Sequence, residues 1–162
     1  MITVVAIGPV AVTTNYWEEY QEDGTEEIGC RLQLRRLREL ASEIPPPQPR
    51  RDATWWHVDE PLWRADLFTT VGSTTALDAS HYHPTFTGVQ PCERVFDHTM
   101  FPDPHAWMVR RLADLPGMLE EAGHPDLAAG IDDHDVAQAM PAILSALATT
   151  LTYRPAHRAD VP

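Results

Sequence analysis

No lysine occurs in the 162-residue chain, so all twelve basic side chains are arginine. Every chemistry that needs a primary amine is thereby excluded: a Schiff base, a phosphate-loop lysine, a lysine general base. Cysteine is scarce as well. Only Cys30 and Cys92 occur, far apart and in no zinc or redox spacing, so they read as free thiols in a reducing compartment. Cys92, between Pro91 and Glu93, has no base fixed beside it by sequence and reads as a quiet thiol. No stretch approaches 18 consecutive apolar residues, and the opening Met-Ile-Thr-Val-Val-Ala-Ile carries no basic region of a secretory signal. The expectation is a soluble, cytoplasmic chain with no membrane partner. Also missing are Gly-x-Gly-x-x-Gly, the phosphate-loop Gly-Lys-Ser/Thr, the Gly-x-Ser-x-Gly elbow and the metalloprotease helix motif. No nucleotide cofactor is therefore expected, and serine-hydrolase chemistry on an α/β sheet has no support.

Positive charge is in short supply: 24 acidic side chains against 12 basic ones give a formal net charge of −12. Such a field repels phosphate backbones, so nucleic acid is not an expected partner. Half of the basic residues, Arg31, Arg35, Arg36, Arg38, Arg50 and Arg51, fall close together and read as the solvated face of a helix.

What is present is ordinary globular composition, 43% hydrophobic, enough for one domain spanning 1–162 without a metal or disulfide to hold it. Ile2 to Ile7 reads as a buried strand ended by Gly8-Pro9, with Val10 to Thr14 as a second strand. Tyr16 to Tyr20 and Thr25 to Ile28 flank a tight turn at Asp23-Gly24. From Gly29 to Glu43 the leucines recur at threes and fours, which predicts an amphipathic helix stopped by the proline run 45–49, a stiff connector inside the domain.

Seven of the thirteen aromatic residues lie between residues 52 and 98, a composition that favours strands. Thr54 to Val58 and Trp63 to Val71 read as a hairpin around Asp59-Glu60-Pro61-Leu62. Its core face would carry Trp56, Val58, Trp63, Ala65, Leu67 and Val71. Its other face, with Trp55, His57, Arg64, Asp66 and Phe68, resembles one wall of a pocket. Gly72 to Thr75 reads as a loop, and Ser80 to Thr87 as a strand interrupted at Pro84. Asp103-Pro104 begins a helix to about Leu115. Pro116 starts a short second helix ended by Gly123. Asp133 to Thr150 forms the last helix, kinked or divided by Pro141 near Ala139, with 154–162 extended beyond it. Asp132-Asp133-His134-Asp135 reads as the capped start of that helix. The sum is an α+β fold, a mainly antiparallel sheet with helices packed on one face.

One constellation carries chemistry. His81 and His83 sit one residue apart, and on a strand that spacing sends both imidazoles to the same side. With His57, Asp66 or His98 completing the shell, they would hold a divalent metal such as zinc, iron or manganese. The leading expectation is a metal-dependent enzyme acting on a small carboxylate or aromatic substrate. The same face offers a metal-free version, in which Arg64 clamps a carboxylate between Trp55 and Phe68 and His57 acts as general base; against it stands a plain Arg64–Asp66 ion pair. The alternative is a non-catalytic interaction or ligand-binding protein, a homodimer using a tryptophan-rich sheet face, which requires Trp55 and Trp63 to face solvent.

Overall fold

The computed structural model describes residues 1–39, 56–71 and 79–153. The proline run 45–49, Trp55, Arg50, Arg51, the loop 72–75 and the tail 154–162 lie outside the described residues. The fold is α+β. Five antiparallel strands form a sheet in simple chain order: β1 (Ile2–Ile7), β2 (Val10–Tyr20), β3 (Glu26–Glu39), β4 (Trp56–Val71) and β5 (His81–His83). A small hairpin follows, β6 (Phe86–Thr87) with β7 (Gln90–Pro91), and then α1 (Pro104–Ala113), α2 (Leu115–Glu121), α3 (Pro125–Ala128) and α4 (Asp133–Thr152). No helix among the described residues is long and apolar enough to cross a membrane.

The two tight turns are where glycine is required. Gly8 (φ +51°) closes β1 onto β2, and a Cβ there would meet the Gly130 carbonyl oxygen at 2.8 Å. Gly24 (φ +81°) closes β2 onto β3, with the Gln21 amide donating to the Thr25 carbonyl. Helix starts follow their expected signals. The Asp103 side chain accepts from the Ala106 amide ahead of Pro104, and Asp132 accepts from the His134 amide at the start of α4. Gly123 (φ +84°) terminates α2.

Three expectations need correction. The segment from Gly29 is strand, not helix: Cys30, Leu32 and Leu34 are fully buried while Arg31 and Gln33 occupy the other side, a period of two. The helix-like spacing of Leu34 and Leu37 arises because the β3–β4 register shifts between them, which lets both side chains reach the core despite their odd separation. The expected helix face of arginines is therefore a strand face. Second, Asp59-Glu60-Pro61-Leu62 is no hairpin loop. β4 runs unbroken for 16 residues, with Pro61 opposite Arg35 at these bulges, where a missing amide costs little. The bulges leave Leu62 and Trp63 both buried, whereas Trp56 is half exposed. Third, Pro141 does not divide α4, which continues to Thr152.

The helices cover one face of the sheet. Aligned side chains in successive strands form cross-strand rows there: Val12, Leu34 and Trp63 in one, Thr14, Leu32, Ala65 and Tyr82 in the next. Met108, Leu112, Leu115, Ile143 and Leu147 pack into the same core. Trp63, Tyr82 and Trp107 form a mutual cluster, with ring centroids 5.6 Å apart for Trp63–Tyr82, 6.2 Å for Trp63–Trp107 and 5.6 Å for Tyr82–Trp107, and the Arg111 guanidinium over all three rings. Burying side chains of this size stabilises by about 1.5–3 kcal/mol each. Trp63 is 0% exposed, so it does not provide the solvent-facing tryptophan surface that the interaction reading required.

Candidate functional site

The opposite face of the same strands carries the polar residues, because side chains alternate along a strand. The register lays them out in order. Gln33 of β3, Arg64 of β4 and His83 of β5 form one row; Arg31, Asp66 and His81 form the next; Trp17 of β2, Gly29 and Phe68 form the third; and Glu19 and Glu27 form the fourth. Segment 92–96 runs beside β5, joined to it by reciprocal Tyr82–Val95 backbone hydrogen bonds, and a cleft of about 540 Å³ lies on this face, lined from that segment by Arg94 and Phe96.

Asp66 is the centre. Its carboxylate is 3% exposed and accepts from Arg31 Nε at Oδ1 (2.7 Å), while Arg64 Nε lies 2.8 Å from Oδ2. His81 Nε2 and His83 Nε2 each lie 3.6 Å from the same Oδ2. Among the described residues these three form a group of buried donors whose ligand atoms all lie within 4.8 Å of one another.

The hydrogen bonds fix the imidazole tautomers. His81 Nδ1 faces the Ala79 carbonyl at 2.9 Å, and His83 Nδ1 faces the carbonyls of Glu93 (2.9 Å) and Cys92 (3.2 Å). Carbonyls only accept, so each Nδ1 carries the proton and each Nε2 of the neutral ring presents a lone pair. Arg64 donates to that of His83 at 3.0 Å. Burial pushes the pKa of both histidines below the ordinary value, with neighbouring guanidinium groups adding to the effect: Arg94 and Arg64 for His81, Arg64 for His83. Near neutral pH both rings are uncharged. Arg64 is itself lowered by burial, with Asp66 acting in the opposite direction to keep it charged.

The aromatic row is built on a glycine. A Cβ at Gly29 would meet the Leu67 carbonyl at 2.6 Å and the Trp17 ring at 2.8 Å, so its absence lets the indole cross the strand and meet Phe68 edge-on at 4.9 Å. Phe96 closes the other side, 5.4 Å from the His81 ring. Arg94 lines the cleft with no hydrogen bond or ion pair among the described residues.

Of the residues expected from sequence, the structure unites Arg64, Asp66, His81, His83 and Phe68. His57 stands apart: it is exposed, opposite Arg38, nine residues up β4 and on the order of 25 Å away along the strand. His98 is exposed and packs edge-on against Phe101 at 5.4 Å, outside the donor group. Arg31, Arg94, Trp17 and Phe96 were not anticipated. The alternation Cys30-Arg31-Leu32-Gln33-Leu34 was the available signal for Arg31. The two thiols stay outside this chemistry: Cys30 is in the core, where burial pushes it up to about 12, and Cys92 is exposed, lowered by hydrogen bonds from the Thr85 and Thr87 hydroxyls.

A family model described as a domain of unknown function (DUF7700) matches residues 75–147. That stretch contains His81, His83, Arg94 and Phe96, while Arg31, Arg64 and Asp66 precede it. No curated protein and no solved structure shows a match.

Proposed function

We propose that Asp66, His81 and His83 bind a divalent metal ion at the floor of the cleft and that the ion acts on a small organic molecule held above it. The observation that carries this reading is the convergence of two unprotonated Nε2 atoms on one carboxylate oxygen, each imidazole held by a backbone carbonyl at its Nδ1. Carbonyl acceptors of that kind orient histidine ligands and raise their basicity. Two imidazoles and one carboxylate leave positions open for water and substrate on zinc, iron or manganese. Such an ion polarises a carbonyl or lowers the pKa of a bound water. Arg31, on the far oxygen of Asp66, holds the carboxylate in place.

Arg64 sets the difficulty. Its guanidinium already spans Asp66 Oδ2 and His83 Nε2, so a metal must displace it from both. Replacing the cation with an uncharged side chain of similar length, Arg64→Met, removes this competitor and its repulsion, and should tighten metal binding by at least about tenfold. Titration with Co²⁺, followed by visible absorption, is the direct test. One equivalent should bind to the wild type, with the signal lost in His81→Ala and in His83→Ala.

A metal-free reading has one observation in its favour, the position of Arg64 itself. Without an ion, Arg64 and Arg94 would clamp a ligand carboxylate, and His81, not the distant His57, would be the base facing the cleft. Absence of any cobalt signal in folded wild type and in Arg64→Met would leave this reading standing alone.

A further inference from the structure

The four rows under the cleft do not repeat one another; they grade from cationic to aromatic to anionic. Arg64 and Arg31 occupy the first two rows, and Arg94 joins them from the segment bridged to β5, lining the same cleft. Trp17 and Phe68 form the third row, and Glu19 pairs with Glu27 across β2 and β3 in the fourth. Along β3, Gln33, Arg31, Gly29 and Glu27 are successive residues of one face, so the backbone of the Arg64 row lies roughly 20 Å from the glutamate row, and the Asp66 row, toward which the Arg64 guanidinium leans, lies roughly 13 Å from it. Glu19, Glu27 and Arg94 line the cleft without a hydrogen bond or ion pair among the described residues. Three charges facing a cavity with no protein partner are suited to charges on a ligand.

We infer that the cleft takes a flat, zwitterionic small molecule, with its carboxylate at the Arg64 and Arg94 end, its aromatic body over Trp17 and Phe68, and an amine between Glu19 and Glu27. The inference rests on the cleft being the ligand site proposed above and names the class of molecule it receives. The metal-binding triad lies at the carboxylate end, so the acid group, not the amine, is the part presented to the ion. A dianionic ligand is disfavoured because its second charge would meet the two glutamates, and a simple amine because it forfeits the arginines.

Three probes of matched shape test it: 4-(2-aminoethyl)benzoate, 4-propylbenzoate, which lacks the amine, and 2-(4-methylphenyl)ethylamine, which lacks the carboxylate. Titration calorimetry with full-length protein should show the first binding at least about tenfold more tightly than either of the others. In a Glu19→Gln/Glu27→Gln variant the first should fall to the affinity of 4-propylbenzoate, whose own binding stays unchanged. Equal affinities for all three, or no binding of the first at millimolar concentration to protein with a native circular dichroism spectrum, would overturn the inference. Zinc content measured on the same samples keeps the two readings apart. Protein that takes up one zinc per chain but discriminates among no probes contradicts the ligand class alone. Protein that prefers the bifunctional probe but holds no zinc supports the ligand class and contradicts the metal.

Discussion

Strand β4 presents two surfaces made from alternate residues of one sequence. Trp63, Ala65 and Leu67 point into the helix-covered core, a cluster of apolar side chains with the Arg111 guanidinium over Trp63 at its edge. Arg64, Asp66 and Phe68 point the other way, to the cleft, where Asp66 is paired with Arg31 and Arg64 while Arg64 Nε and Trp17 Nε1 are buried without a hydrogen-bond partner among the described residues. Both surfaces are largely closed to water, yet their energetics differ. The core face is stabilised by area and tolerates little change in volume. The polar face offsets the desolvation of Asp66 and Arg64 with charge-assisted hydrogen bonds and gains little net stability from being ionic. Arranging charges there costs more than an apolar packing would, and this is why that face, not the larger core, is the place to look for function.

The comparison can be broken from either side. The largest effect is expected on the core face. Trp63→Ala removes a fully buried indole and two ring contacts and should cost about 3–5 kcal/mol in urea unfolding. The fraction that remains folded should still bind metal with wild-type affinity. On the polar face, Asp66→Asn keeps the side-chain shape but leaves Arg31 and Arg64 without a counter-charge; about 2–3 kcal/mol should be lost, less than for a fully buried pair because Arg31 is a third exposed. Here metal binding should disappear even in fully folded protein. If both substitutions affected binding only in proportion to unfolding, the two faces would not be functionally distinct.

A smaller effect is expected where the polar face depends on backbone alone. Gly29→Ala puts a methyl against the Leu67 carbonyl and the Trp17 ring, and should cost about 1–3 kcal/mol while shifting tryptophan fluorescence. An unchanged spectrum and midpoint would mean that Trp17 is not seated across the strand.

The gentlest perturbation is pH. Folding lowers the pKa of His81 and His83 from 6.5, so below that value the unfolded chain binds more protons than the folded one. Stability is therefore full above about pH 6.5 and declines on acidification until the lowered folded-state values are passed. Urea midpoints measured between pH 7.5 and 5 should fall more steeply for wild type than for a His81→Asn/His83→Asn variant. Parallel curves would mean that the rings are not buried neutral.

The sequence made some of this arrangement readable and hid the rest for physical reasons. The period-two pattern Trp63 to Phe68 assigned the two faces of β4 correctly, and the His-x-His spacing put both imidazoles on one side, because those relations are local to a strand. Arg31 was concealed by Leu34 and Leu37, whose spacing imitates a helix only because bulges near Pro61 shift the register between them. Trp17, Arg94 and Phe96 reach the cleft through the β2–β3–β4 pairing and the Tyr82–Val95 bridge, contacts that no short window along the chain contains. His57 shares β4 with Asp66, but strand length separates them. The fold class was legible because hydrophobic patterning and helix-capping residues are distributed along the whole chain.

The claim at the centre is that the Asp66, His81 and His83 side chains hold a metal ion. Its most direct measurement is the zinc retained per chain, by elemental analysis, after untagged protein is equilibrated with zinc and dialysed. The expected result is one equivalent for the wild type and none for a His81→Ala/His83→Ala variant that remains folded. Retention of no zinc by natively folded wild type, or of equal zinc by both proteins, would contradict it.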